Sequence, residues 1–411
     1  MDSRSEHGSF SGNRRRLSAS LPPGSLAVIA TGPHPLPCGV DSAKPWPDFH
    51  YLTGLREPQS GLILEAHPAG EGRAVLFAPP HDHLWDGPTV ECDIADVRPW
   101  TEFETVLRAM AFQTPVLLVH SPENPFAPQE DHWLAHLCRR LLPLHALERL
   151  APFLGRLRAE KSPAEIAHLR EAHALAARAF RRAIGFVRPG VRGFEVKAEF
   201  LHEITRHGSA GLCCPPITAA GAEVLALHWP GDRRPWNGDE MALLDFTVEW
   251  NGLCADMARC APVGGRFSPR HRAVYDAVLR VLREATGLLR PGRLLDECQQ
   301  EVELLLQHEL LRMGLLKSSD VKDPASPSPA LHSFFMHEAF HHIGIEVHDP
   351  VPASLPLAPG HVLAVEPALY VAAEGFGIRL ENNVLITETG AENLSAALPV
   401  EAEEIEGLLH L

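Results

Sequence analysis

Residues 243–256 read Leu243-Leu244-Asp245-Phe246-Thr247-Val248-Glu249-Trp250-Asn251-Gly252-Leu253-Cys254-Ala255-Asp256. Asn-Gly between two β-prone runs marks a two-residue type I′ turn, because both central residues must take positive φ. A tip at Asn251-Gly252 pairs Trp250 with Leu253 and, further from the tip, Thr247 with Asp256. Side chains alternate along a strand, so Asp245 shares the face of Thr247. It becomes the diagonal neighbour of Asp256, roughly 7–8 Å away or less. Two carboxylates aimed at one spot repel unless a proton or a cation lies between them.

A second pair lies further along. Residues 362–371 and 377–386 read as two strands that carry Glu366 and Glu381 among apolar neighbours, where an unpaired charge is costly. A turn centred on Glu374-Gly375 puts Glu366 opposite Asn383 and Glu381 opposite Ala368, repeating the diagonal relation. Any one of these carboxylates alone reads as a solvent-facing hairpin residue. Two matched pairs read as a metal site.

Between the pairs, residues 334–349 hold His337, His341, His342 and His348. Imidazole is the commonest protein metal ligand. His337-Glu338-x-x-His341 matches the H-E-x-x-H zinc helix. However, Ile343, Ile345 and Val347 alternate with polar residues and glycine in the manner of a strand. The third histidine of the longer zinc pattern would fall on Val347. A zinc helix also leaves four carboxylates unexplained. Four carboxylates with one imidazole suit two divalent ions such as Mn²⁺, Fe²⁺, Co²⁺ or Zn²⁺. Ions ~3.5–4 Å apart clamp a hydroxide and polarise a carbonyl.

Outward from this region, Ser162-Pro163-Ala164-Glu165 has the N-cap, N1 and N3 residues of a helix start. Ile166, Leu169, Ala172, Ala176, Phe180 and Ile184 continue it at helical spacing. Ala183-x-Gly185-x-x-Arg188-Pro189-Gly190 with Glu195 recurs as Ala285-x-Gly287-x-x-Arg290-Pro291-Gly292 with Glu297. Two helix ends can share a Pro-Gly stop, but the arginine, glutamate and both glycines in register favour a duplication. Residues 156–411 thus read as one domain of two similar halves. Ahead of it, residues 26–29, 61–64, 74–77 and 116–119 read as buried strands, and 102–111 and 132–142 as helices. That pattern predicts an α/β domain over residues 23–155, with a surface loop at 79–87. The polar residues 1–22 read as a disordered tail.

The net charge of −15 argues against nucleic acid and anionic membrane as partners. No apolar run is long enough to span a bilayer, and residues 25–30 are too short for a signal-peptide core. Eight cysteines without a C-x-x-C pair fit reduced thiols and a cytoplasmic location.

Asp245, Asp256, His341, Glu366 and Glu381, each in its own context, resemble the five metal ligands of the pita-bread metallopeptidases. Phe335-Met336-His337, Val347-His348-Asp349, Val365-Glu366-Pro367 with Leu369-Tyr370, and Gly377-Ile378-Arg379-Leu380-Glu381 are similar to segments of Xaa-Pro aminopeptidase (aminopeptidase P) and prolidase. So are Tyr51-Leu52-Thr53-Gly54 with Glu57-Pro58, and Lys161-Ser162-Pro163 with Glu165. The resemblance implies an α+β fold: a pita-bread (creatinase/aminopeptidase-like) catalytic domain with an internal pseudo-twofold, preceded by an α/β domain.

The resemblance implies two metal ions, Mn²⁺ foremost, with Asp245 on one, His341 and Glu366 on the other, and Asp256 and Glu381 bridging. A metal-bridging hydroxide would attack the scissile carbonyl, with Glu366 relaying its proton. His348 would contact substrate or the tetrahedral intermediate, and His228 would lie near the prolyl position. His337 and Arg379 would position substrate or ligands, and His342 needs no special role. The substrates implied are peptides with proline at the second position, and the assembly a homodimer or homotetramer. A dipeptidase is the alternative. A peptide-binding member of the fold, or metal-free creatine hydrolysis, fits poorly with five intact ligands. The chain departs from the family at Phe340, Ala368, Asn382-Asn383 and Ala258, the last removing a hydroxyl that often orients a metal ligand.

Overall fold

The computed structural model describes residues 4–31, 47–55, 58–70, 72–79, 93–121, 132–323 and 325–409. The chain divides into two compact units, Met1–Arg158 with Pro350–Pro352, and Ala159–Asp349 with Ala353–Leu411.

The first unit is built on a mixed six-stranded sheet. Its elements are α1 (Arg4–Ser20), β1 (Ser25–Ala30), α2 (Pro47–Thr53), β2 (Gly61–Glu65), β3 (Ala74–Ala78), β4 (Asp96–Pro99), α3 (Phe103–Ala111), β5 (Val116–Val119), α4 (Trp133–Leu141), β6 (Ala146–Arg149) and α5 (Ala151–Ala159). The sheet order is β4-β3-β2-β1-β5-β6. The apolar runs form its buried centre, where β1 pairs antiparallel with β2 and parallel with β5. The edge strands β4 and β6 are partly exposed and rich in charge, so they give little hydrophobic signal. The loop expected at 79–87 falls, beyond residue 79, outside the described residues, as does Glu57.

The expectation of a disordered tail is overturned: residues 4–20 form helix α1. Leu17 and Leu21 are buried, and Asn13, Arg14 and Ser18 bind protein acceptors rather than water. Arg14 donates to Leu52 O at 2.6 Å and to Asp93 at 2.6 Å. Asn13 donates to Tyr51 O at 3.1 Å, and Ser18 to Glu65 O at 2.7 Å. Composition reads such residues as solvated because it cannot see the carbonyls they satisfy.

The second unit comprises α6 (Pro163–Phe186), α7 (Gly193–Arg206), β7 (Ile217–Ala220), β8 (Met241–Trp250), β9 (Leu253–Pro262), α8 (Pro269–Leu288), α9 (Leu295–Arg312), β10 (Phe340–His342), β11 (Val362–Val365), β12 (Ala368–Val371), β13 (Phe376–Arg379), β14 (Asn382–Ile386), β15 (Ala391–Asn393) and α10 (Ala402–Leu408). Ser162 caps α6 as expected: its Oγ accepts from Glu165 N, and Glu165 accepts from Ser162 N at 2.8 Å. The internal echo is structural. Gly190 and Gly292 both have φ +89, where glycine alone is free of Cβ strain. Gly190 N donates to Trp236 O and Trp236 N returns to Val191 O, each at 2.8 Å. In the second copy Gly292 N donates to Leu357 O and Leu357 N returns to Arg293 O, also each at 2.8 Å. Each copy thus ties a helix pair to the chain that enters its sheet. Phe180, Phe200 and Phe246 fill the core between α6, α7 and β8.

Candidate metal centre

The first hairpin has the expected register. Asn251 and Gly252 take φ 48 and 82 at its tip, Thr247 pairs with Asp256, and Asp245 pairs with Ala258. Asp245 and Asp256 are therefore diagonal neighbours. Thr247 holds the chain that precedes β7 by accepting from Cys213 N at 2.8 Å.

The second hairpin corrects two expectations. Neither limb is a continuous strand: the first is cut between β11 and β12 at Glu366-Pro367, the second between β13 and β14 at Leu380-Glu381. Proline lacks the N–H a ladder needs, which accounts for the first cut. The register also differs. Val365 pairs with Asn382 and Ala368 with Arg379, so continuing across the gap places Glu366 directly opposite Glu381, not Asn383. The turn that sets this register is a 3-10 turn over Ala372–Glu374 closed by Gly375 at φ 70, one step away from the centre expected.

His341 lies on β10, paired with Ala364. No helix runs from His337 to His341, so the zinc-helix reading lacks its scaffold. The strand expected over 343–348 is not formed either. Strand β10 ends at His342, and a closed loop follows. Asp349 N donates to His342 O, and Asp349 Oδ1 accepts from Glu346 N at 3.1 Å. Lys161 pairs with Asp349 Oδ2 at 3.1 Å, both side chains buried. At Gly344 a Cβ would lie 2.2 Å from Asp349 Oδ2, so the loop has no room for a side chain there. The loop delivers His348, whose ring stands edge-on to His341 with centroids 4.4 Å apart.

These elements surround a cleft of ≈ 440 Å³ whose lining includes all nine candidate catalytic and metal-ligating residues: His228, Asp245, Asp256, His337, His341, His348, Glu366, Arg379 and Glu381. His341 Nε2 is 4.0 Å from Asp256 Oδ2, 3.7 Å from Glu366 Oε1 and 3.8 Å from Glu381 Oε1. Asp256, His341 and Glu381 each bring one ligand atom within 4.8 Å of the others. Asp245 lines the same cleft but is not in that trio; its Oδ2 accepts from Arg379 Nη2. Asp256 Oδ1 and Glu381 Oε1 are buried without a hydrogen-bond partner. Oxygen donors left bare beside an imidazole are what a divalent cation would fill, so the residues fit a metal.

The electrostatics agree. Burial, then the charge of Glu381, holds the Asp256 carboxyl well above the usual range. Burial, then Glu366 and Asp245, does the same to Glu381. Burial also raises Glu366. Without cations these groups resist ionising together.

Around them, His337 Nδ1 donates to Glu338 O at 2.8 Å, while its Nε2 accepts from Tyr370 OH at 2.9 Å. Arg379 Nη1 donates to the same hydroxyl at 3.3 Å. Burial keeps His337 neutral, pushed down to about 4. His348, exposed as a residue though its ring packs on His341, is also pushed down to about 4 by desolvation. His228 is exposed on the cleft wall, and His342 points away from it, its ring against His361 at 5.3 Å between centroids. Tyr370 was overlooked as a site residue. The family-like segment Leu369-Tyr370 was the available clue.

The Ala258 departure is accommodated by backbone. Ala258 O accepts from Glu381 N at 3.1 Å, and Asp256 N donates to Asn383 Oδ1 at 2.8 Å. Arg259, 1% exposed, donates to Glu381 O, Asn382 Oδ1 and Pro399 O. A seam thus joins the two hairpins behind the carboxylates.

Comparison with known proteins agrees with this geometry. The model of Metallopeptidase family M24 matches residues 167–388, and that of the Aminopeptidase P, N-terminal domain, matches residues 10–117. The chain is 32% identical to Xaa-Pro aminopeptidase of Escherichia coli (strain K12), covering 97% of each. It is 29% identical to Xaa-Pro aminopeptidase 3 of Homo sapiens, covering 87% of this chain and 75% of that one. Among solved structures it is similar to proline aminopeptidase P II from Yersinia pestis, with a TM-score of 0.85 at 29% identity over 100% of both chains. The low-pH form of E. coli aminopeptidase P gives 0.86 at 29% identity over 98% of both. A pita-bread catalytic unit, a cluster of bare buried carboxylates and these relatives together make the chain a member of metallopeptidase family M24, a family that works with divalent metal ions.

Proposed function

We propose that this protein is a Xaa-Pro aminopeptidase that releases the first residue of peptides with proline second. Its two divalent ions, Mn²⁺ foremost, would be held by Asp245, Asp256, His341, Glu366 and Glu381. The observation that carries the reading is the pair of buried, unpartnered oxygens on Asp256 and Glu381, facing His341 and Glu366 across one cleft.

When bound, the ions supply Lewis-acid polarisation and a water of lowered pKa. Glu366, as the carboxylate beside His341 in the cleft, takes a proton from the attacking water and returns it to the leaving prolyl nitrogen. His348, neutral at physiological pH, donates a hydrogen bond to the oxygen of the tetrahedral intermediate. Arg379 holds Asp245 and, through Tyr370, the ring of His337. His337 and His228 then line the path of the prolyl residue. Cys138, Cys214, Cys260 and Cys298 form no disulfide among the described residues, which supports a reducing, cytoplasmic setting. No described helix is long and apolar enough to cross a membrane. A homodimer or homotetramer follows from the family resemblance and is read directly by light scattering.

The test is to strip the protein with a chelator, reload it with Mn²⁺ and offer Xaa-Pro and Xaa-Pro-Yaa peptides. The expected result is about two equivalents bound, as a two-metal site requires, with first-residue release from the longer peptide. Cleavage of Xaa-Pro alone would mark a dipeptidase, and cleavage of neither would end the proposal.

A further inference from the structure

We infer that Glu338 is a specificity-determining residue, an anionic group on the cleft wall that favours peptides with a Lys or Arg side chain next to the Xaa-Pro bond. This rests on the peptidase function proposed above. Glu338 is the general base of the H-E-x-x-H pattern that the fold does not build, so its presence in the cleft needs another account.

Glu338 is exposed, and it lines the same cleft as His337, His341 and Glu366. The peptide unit that follows it is held at both its carbonyl and its N–H. His337 Nδ1 donates to its carbonyl at 2.8 Å. The next residue, Ala339, donates its N–H to Gln299 Oε1 at 2.8 Å and accepts from Glu366 N at 2.9 Å. The side chain therefore starts from a fixed point, which lowers the cost of using it in recognition.

The other cleft acids are committed. Asp245 is paired with Arg379, and Asp256, Glu366 and Glu381 face His341. Among the described residues the Glu338 carboxylate has no ion pair. Its field still reaches Glu366, where it adds to the groups that retain the proton.

A carboxylate accepts hydrogen bonds and attracts cations, so the group it reads is cationic. Every peptide has an α-ammonium, but that group belongs to the residue being released and stays within one residue of the buried carboxylates. Glu338 is solvent-exposed while Asp256 and Glu381 are buried. That difference in depth suits a long basic side chain, which can bridge from a flanking residue to the wall. An exposed pair of this kind is worth at most about fivefold in affinity and is screened by salt. It acts alike on bound substrate and transition state, so it shows in KM more than in kcat.

The test compares kcat/KM of the Mn²⁺-loaded full chain on matched peptides, Lys or norleucine at the first and, separately, the third position around proline, at low and high NaCl. Expected is a preference of about three- to fivefold for Lys at one of these positions, carried by KM. It should shrink at high salt, collapse to about one in Glu338→Gln and invert in Glu338→Lys. Equal turnover of Lys and norleucine peptides, or a preference unchanged in Glu338→Gln, overturns the inference while leaving the peptidase function standing. A uniform loss on all peptides in Glu338→Gln also overturns it, because the carboxylate would then be reading the shared α-ammonium. Failure to cleave even the norleucine peptides strikes the proposed function itself.

Discussion

The two halves of the catalytic unit solve the same problem in different ways. In β8–β9 the ladder is unbroken from Met241↔Pro262 to the Asn251-Gly252 tip, and Asp245 and Asp256 are simply the residues whose side chains face the cleft. In the second half the ladder is interrupted where the ligands sit, and Glu366 faces Glu381 across the gap. Direct apposition puts two charges closer than a diagonal does. The longer glutamate side chains, and a backbone released from the ladder, let both reach past each other toward His341. A continuous hairpin displays carboxylates, whereas an interrupted one can aim them.

The largest expected effect tests whether both hairpins are needed for metal. Asp256→Asn and Glu381→Gln should each lower the bound metal and reduce kcat by about 10²–10³-fold or more, the scale of losing a preorganised electrostatic group. Metal analysis with turnover checks this, and full activity in either variant removes that residue from the centre. The same substitutions should raise the melting temperature of metal-free protein, since each takes a charge out of a crowded site.

The seam comes next. Arg259→Met would leave the acceptors on Glu381, Asn382 and Pro399 bare in the interior. We expect a loss of about 3–5 kcal/mol in chemical denaturation, because several buried acceptors lose a charged donor at about 1–3 kcal/mol each. A loss under about 1 kcal/mol would mean that the hairpins are held together elsewhere.

The pH dependence has a definite sign. Asp256, Glu366 and Glu381 have folded pKa values raised above their unfolded ones. In metal-free protein the folded state therefore binds more protons than the unfolded one. The stability these groups contribute is present at low pH and falls as pH rises above the unfolded value of about 4. Asp48 in the first unit runs the other way. Despite the opposing penalty of burial, Arg158 at 2.7 Å and His120 at 3.0 Å hold it below the usual range. Its stabilisation is present above about pH 4 and lost on acidification. Melting scans against pH with and without Mn²⁺ separate the two, because only the first trend should vanish on loading.

The smallest effect distinguishes the turns. Gly252→Ala and Gly375→Ala should each cost about 1 kcal/mol for an alanine held at positive φ. Only the second should also weaken metal binding, because β12 and β13 form a short two-stranded sheet beside the ligands. Equal metal affinity in both variants would count against the interrupted hairpin as an aiming device.

Much of this was legible because certain residues admit few conformations. Ser162-Pro163 with Glu165 could only start a helix efficiently, Asn251-Gly252 could only turn one way, and Arg-Pro-Gly repeated with a downstream glutamate marked the duplication. The register of the second hairpin was not legible, because Ala372-Ala373-Glu374-Gly375 is compatible with turns of different length. Pro367 marks the cut, although the apolar pattern of residues 362–371 reads through it as one strand. Helix α1 was hidden because its polar side chains are spent on carbonyls of α2 and β2, and Tyr370 because a tyrosine in a buried strand has no periodicity to betray its hydroxyl. Among the candidate ligands, the structure groups Asp256, His341 and Glu381, adds Glu366 beside the imidazole, and turns Asp245 toward Arg379.

The interruption of the second hairpin also gives the molecule a built-in clock. Freed from their own ladder, the amides of Glu366 and Glu381 donate to Ala339 O and to Ala258 O, the latter on the opposite hairpin. The Glu381 amide proton can reach solvent only when the two halves part, whereas the neighbouring amides of β14 exchange when their own sheet frays. The ratio of these exchange rates is therefore a direct measure of how often the two halves separate. Metal should slow the first far more than the second.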